Sequence, residues 1–264
     1  MEERTIEHCE WGNAVNRQAQ AVVMLLFGGA VLKASVTDLY LRYVKEGLRP
    51  FLIVAGVLLV TAAIMTLWYD LRHAPPEPET PPAAGGDPQH DDEHGHAHRE
   101  PRVGWLLILP VLGLLLVTPP ALGSYAAGQA GTVLTAQNSG SDYPQLPPGD
   151  PAPLTMLDYA SRAVFDSGKS LTGRNLQLTG FVTPGPDGQP MLARIVLTCC
   201  AADGRPIKIG LTGGNPITVP PDTWVQVVGT YSTRVEKDPM NQATVPYLEV
   251  TSWAEITPPR RQYE

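Results

Sequence analysis

The sequence has little cysteine, little charge and no excess of base. Three cysteines in 264 residues are too few to staple a chain of this size, which excludes a disulfide scaffold. Charged residues make up 17% and the formal net charge is −7. That lacks the basic footprint a nucleic-acid partner requires, so none is expected. Histidine is absent after His98, which denies the C-terminal half a Cys–His nucleophile. There is no Ser-His-Asp set, phosphate-binding loop or paired-carboxylate pattern either. An enzyme is not expected.

Proline, by contrast, is plentiful. With 27 residues it stands at roughly twice its usual share, which marks linkers and turns. The acidic excess is local as well. Residues 70–100 carry eight acids against Arg72 and Arg99, while residues 154–264 balance ten acids with ten bases. The chain is therefore modular.

Three apolar runs point to lipid as a solvent. Leu48 to Tyr69 is 22 residues long with only Arg49 charged. At about 33 Å as a helix it covers a hydrocarbon core of ~30 Å. Arg49 and Pro50 suit its first turn, and Trp68 and Tyr69 suit the far interface. The first run, Ala19 to Tyr43, is interrupted by Lys33 and Asp38. Those charges fit snorkelling near a helix end, or a polar contact to a partner helix helped by Gly28 and Gly29. The third run, Val103 to Leu122, contains Pro110 and stops at Pro119 and Pro120. Three transmembrane helices are expected. The leader is polar and rich in Glu, unlike a cleaved signal peptide. No Lys or Arg lies between Arg102 and Arg162, which puts the C-terminal domain outside and the N-terminus and middle segment in the cytoplasm. The expected location is the cell membrane, multi-pass.

Residues 70–102 form the middle segment, an acidic loop rich in His, Pro and Gly that cannot build a packed core and is expected to be disordered. His90, His94, His96 and His98 cluster beside Asp91, Asp92 and Glu93. Imidazoles among carboxylates suit Zn²⁺, Ni²⁺ or Cu²⁺, held weakly because no scaffold fixes them. A plain solvating spacer is the other reading.

Residues 123–153 read as a proline-rich linker and 154–264 as a soluble domain. Leu154 to Phe165 has Leu157, Ala160 and Val164 at helical spacing. Beyond it, Asn175–Thr183, Ala193–Cys200, Pro206–Leu211, Thr223–Tyr231 and Tyr247–Ile256 alternate as strands between Gly/Pro turns. Five strands are too few for a sandwich and suggest a small closed barrel of OB (oligonucleotide/oligosaccharide-binding) type. Gly180 and Gly229 would sit at its bends. The expected fold is thus an α-helical membrane region plus an all-β, five-stranded OB-like barrel with one short helix.

Arg194-Ile-Val-Leu-Thr-Cys199-Cys200-Ala-Ala-Asp203 is the most unusual local run. On a strand the two cysteines would face opposite sides. They could be packed side chains, a vicinal disulfide, or, brought together by a turn at the strand's end, a thiol or soft-metal site with Asp203.

At these residues the chain resembles the YcgQ-like family of bacterial putative permease subunits, which carries Arg-x-x-x-Thr-Cys-Cys-Ala-Ala-Asp. The match falls on Arg194, Thr198, Cys199, Cys200, Ala201, Ala202 and Asp203, and on Trp224, Val225, Val227 and Gly229 of a later Trp-Val-x-Val-x-Gly. The ending, Pro258 to Glu264, departs from that family's aromatic Pro-Tyr ending. The resemblance implies an accessory subunit beside a larger multi-span membrane permease, linked to transport or homeostasis of zinc or related metals. Zinc is the one cofactor it suggests. The alternatives are an extracytoplasmic thiol-redox protein and a non-catalytic envelope anchor or binding module.

Overall fold

The structure, a computed structural model, describes residues 3–72, 119–134 and 143–264, together with 109, 112, 113 and 116. Two compact units result. Residues 1–37 and 50–119 make the first, and residues 38–49 and 120–264 the second.

The first unit contains helix α1 (Glu3–Val36) and nearly all of helix α2 (Arg49–Arg72). The two helices meet at glycines. A Cβ on Gly28 would lie 2.9 Å from Val60 Cγ2, and one on Gly56 would lie 2.8 Å from Leu32 Cγ. The close approach expected of Gly28 is therefore present, whereas Gly29 has no neighbour within 4 Å. Lys33 sits in the last turn of α1 and is exposed. Asp38 lies beyond the helix, at the start of a short 3-10 turn (Asp38–Arg42). In α2 only Gly56 and Ala63 are buried, while Phe51, Val54, Leu58, Ile64, Met65 and Trp68 are exposed. The span Glu46–Arg72 is long and apolar enough to cross a membrane. It is one such helix among the described residues, where the sequence suggests three. Gln20–Val36 is a shorter apolar stretch of α1. Most of the third run lies outside the described residues, as does the His-rich loop.

The second unit is built on a closed five-stranded barrel: β2 (Leu176–Pro184), β3 (Pro190–Val196), β4 (Arg205–Thr212), β5 (Trp224–Lys237) and β6 (Thr244–Glu255). The order is β2-β3-β4-β6-β5, and β5 pairs with β2 to close the ring. All pairs are antiparallel except β4 with β6. A short extra strand, β1 (Ala152–Pro153), runs parallel to the start of β2. The two glycines act as the sequence suggests. A Cβ on Gly180 would lie 2.7 Å from the Ala193 carbonyl, and Gly229 adjoins a register shift where β5 bends against β6.

The short helix, α4 (Met156–Phe165), follows a third helix, α3 (Ser124–Gln129). Thr155 caps α4 by accepting from the Asp158 N–H at 3.0 Å, which satisfies one of its free amides. Its buried stripe is Met156, Tyr159, Ala160 and Ala163, an i, i+3, i+4, i+7 pattern. Leu157 and Val164, which the sequence places at helical spacing with Ala160, are half-buried. These residues close the core with Leu178, Leu192, Ile207, Ile209, Val227 and Leu248.

The barrel unit begins well before residue 154. Leu122 and Ala127 pack on a second apolar cluster with Phe181, Ile195, Leu197 and Trp224. Further on, the Thr132 N–H donates to Asp238 Oδ2 at 2.8 Å, and Lys208 Nζ reaches Asp238 at 3.1 Å and the Ala130 carbonyl at 2.8 Å. Val133 N–H donates to the Pro206 carbonyl. Part of the stretch read as linker is thus stitched onto β4 beyond its pairing with β6.

Candidate metal-binding site

Strand β3 stops at Val196, four residues short of the sequence expectation. The cause is Asp203. Its carboxylate accepts the backbone N–H groups of Thr198 (3.0 Å), Cys199 (2.8 Å) and Cys200 (3.4 Å). A side chain that takes three successive donors leaves none of them for a strand ladder, so the chain turns into a 3-10 helix over Ala201–Asp203. Cys199 and Cys200 therefore do not face opposite sides of a sheet. Both are free thiols, the first exposed and the second half-buried. Their sulfurs and an Asp203 oxygen lie within 4.8 Å of one another.

The electrostatics favour a protonated Cys199. Its thiol is held up at about 11, chiefly by hydrogen bonding to the Asp203 carboxylate and then to Cys200. Asp203 moves the other way, to about 2, because the Cys199 thiol and the Cys199, Thr198 and Cys200 amides all stabilise its charge. At neutral pH the cluster is a thiol donating to a carboxylate. Two sulfurs and one oxygen make three ligands for a borderline or soft ion, and leave a tetrahedral ion one open position.

A second segment grips this turn. Residues 43–45 lie between the two long helices in sequence and belong to the barrel unit in space. The Lys45 N–H donates to the Cys199 carbonyl at 3.0 Å, and the Ala201 N–H donates to the Tyr43 carbonyl at 2.7 Å. Val44 and Cys200 thereby form an antiparallel bridge.

The C-terminal tail braces the other side. Leu197 N–H donates to the Glu264 carbonyl and Glu264 N–H to the Ile195 carbonyl, each at 3.0 Å. The Glu264 side chain accepts from the Met156 and Leu157 amides at 2.9 and 3.0 Å, at the positive end of α4. Arg194 donates to the carbonyls of Thr179 (3.2 Å) and Arg261 (2.8 Å) and lies 3.5 Å from Glu264. Tyr263 Oη donates to the Arg42 carbonyl and accepts from the Leu122 N–H. Arg260 pairs with Asp38, and Arg261 with Glu46. Beside these groups lies a cleft of about 640 Å³ with Val44, Lys45, Arg194, Tyr263 and Glu264 in its wall.

Of the site residues read from sequence, the structure brings Cys199, Cys200 and Asp203 together. His90, His94, His96 and His98 lie outside the described residues. Sequence reasoning missed the clamp at Tyr43–Lys45 and the tail lock at Arg261, Tyr263 and Glu264, for which the chain carries no local pattern. The motif's Arg194 proves to be a brace for the tail.

Residues 161–264, the barrel with the second half of α4, match a protein family described as the DUF1980 C-terminal domain. No curated protein matches the chain. No solved structure matches it either.

Proposed function

We propose that the protein is an accessory membrane subunit of a permease system for a thiophilic metal ion of the zinc type, of YcgQ-like kind. Its outer barrel captures the ion at Cys199, Cys200 and Asp203. The observation that carries this reading is the convergence of two free thiols and a carboxylate within 4.8 Å on a solvent-accessible turn. Capture exchanges protons for metal: the ion takes the carboxylate and two thiolates, and the two thiol protons pass to solvent. The open fourth position suits an ion that is received and passed on.

Three further features fit this reading. The strand order and the single parallel pair of the barrel suit an OB-like domain. The loop between α1 and α2 joins the barrel unit, as it must if both lie outside the membrane. The partner is then a larger multi-span permease in the same bilayer, with α1, α2 and the third apolar run as docking helices and the His-rich loop gathering ions on the cytoplasmic side. A thiol-redox role is less well supported, since the raised Cys199 thiol holds little of the nucleophilic thiolate at neutral pH.

Zinc titration of the detergent-solubilised full chain against a chromophoric chelator tests the capture step. With residues 73–98 deleted, one equivalent is expected to bind, and Cys199→Ser with Cys200→Ser to abolish it. Equal binding by that double variant contradicts the reading. Co-purification in mild detergent is expected to recover an integral membrane partner.

A further inference from the structure

The β2–β3 and β5–β6 turns close on a cavity that takes no part in the thiol site. It measures about 180 Å³ and lies between Pro184, Gly185 and Pro186 on one side and Asp238, Pro239 and Met240 on the other. In its wall Met191, Val245, Lys208 and Asp238 are buried, while Pro184, Pro186, Pro239 and Met240 are exposed. Five-stranded barrels of this topology hold ligands beside these two turns. A second cavity of about 260 Å³ shares Gly185, Pro186, Met191 and Glu236 with the first, and adds Arg234 and Tyr247. Arg234 lies 4.3 Å over the Tyr247 ring and pairs with Glu236.

Size and chemistry define what fits. A cavity on the order of 150 Å³ admits a benzene ring, so the first takes one apolar side chain against Met191 and Met240. Its polar wall offers one donor. Lys208 Nζ carries three protons, of which Asp238 Oδ2 takes one at 3.1 Å and the Ala130 carbonyl another at 2.8 Å. The third remains for an acceptor in the cavity. Asp238 is already engaged by the Thr132 and Met240 amides as well as by Lys208. Across both cavities the charges cancel, with Lys208, Lys237 and Arg234 against Asp238, Glu236 and Asp187. A charge added to the inner cavity would be buried without a partner of its own, so the occupant is uncharged. The exposed proline and methionine rim and the adjoining second cavity reach beyond one side chain. That favours an extended chain, whose alternate side chains fill successive pockets. We infer that this groove binds an extended, uncharged peptide segment of a protein partner. A leucine-sized side chain fills the inner cavity and the adjacent peptide carbonyl accepts from Lys208. Metal capture is not required: Met191 stands near the start of β3, and the cysteine turn follows its other end.

Methyl NMR tests this on the full chain in detergent, with its six methionines labelled at the methyl carbon. Titration with the tripeptide Ac-Gly-Leu-Gly-NH2 should shift the Met191 and Met240 methyls saturably and leave the core Met156 unmoved. Replacing the probe's Leu by Ala or Asp should weaken binding at least about tenfold. No shift at Met191 and Met240 up to about 10 mM probe overturns the inference, as does equal binding of the Ala or Asp probe. A compact molecule, 4-methylpentanamide, carries the same side chain and carbonyl without the flanking chain. If it binds as tightly as the tripeptide, the site serves a small molecule and the peptide reading falls. Cys199→Ser with Cys200→Ser should leave the tripeptide titration unchanged, so failure of the metal reading is seen separately.

Discussion

Helix α2 and the barrel seam break the usual inside-outside rule in opposite senses. Along α2, large apolar side chains such as Leu58 and Ile64 are exposed. In the seam, Lys208, Asp238 and Thr132 are buried. Each departure is stable for the same reason: every group meets a medium that satisfies it. The seam supplies hydrogen bonds to each charge. Burial pushes the Asp238 carboxyl up, yet the bonds from Met240, Thr132 and Lys208 outweigh it and leave its pKa below the ordinary value. For α2, with only two small residues buried, the proposed membrane reading supplies that medium as hydrocarbon.

Reversing the polarity of α2 has the largest expected effect. Leu58→Lys combined with Ile64→Lys opposes insertion by about 5 kcal/mol. A single cysteine at position 62 should change from protected to labelled by an impermeant maleimide in membrane vesicles. Equal protection would mean that α2 is shielded by protein and not by lipid. Removing a charge from the seam comes next. Lys208→Ala leaves Asp238 buried with its ion pair gone and should cost about 3 kcal/mol in urea unfolding. A loss under half a kcal/mol would show that the seam is open to water.

Gly229→Ala tests the bend by which the barrel closes. An added Cβ would press into the Glu249 carbonyl, so a loss of about 2 kcal/mol is expected, read in the same unfolding experiment. Smaller still is the effect of Asp203→Asn. Without the carboxylate the Cys199 thiol falls from about 11 towards its ordinary range. At pH 8 the thiolate fraction then rises by about two orders of magnitude, and lower nucleophilicity takes back about one. Alkylation of Cys199 should be roughly tenfold faster, and the unfolding midpoint should fall slightly, because Asn keeps only one of the two oxygens that accept the Thr198, Cys199 and Cys200 amides. The sign of the pH effect follows. A thiol whose proton is held more tightly when folded gives up that proton to metal less readily at low pH. Zinc affinity should therefore climb by at least about tenfold per pH unit from 6 to 8.

What the sequence disclosed was what local periodicity controls. Alternation placed all five barrel strands, and Gly180 and Gly229 marked the bends because only a missing Cβ lets the neighbouring backbone come so near. What it hid was non-local. Cys199 and Cys200 read as strand residues because their neighbours Ile195 to Leu197 alternate correctly, and only the bonds to Asp203 turn the chain away. Residues 43–45 read as a bare interhelical loop, and their partner lies over 150 residues downstream. The tail likewise looked like a departure from a family pattern, yet the Glu264 carboxylate caps α4 in a way no spacing rule anticipates.

X-ray absorption at the zinc edge of the full-length protein loaded with one equivalent is the most direct test of the capture site. Two sulfur neighbours at about 2.3 Å with lighter atoms at about 2.0–2.2 Å, lost in the Cys199→Ser/Cys200→Ser variant, are the expected result. A shell of nitrogen and oxygen alone, unchanged by that substitution, would contradict it.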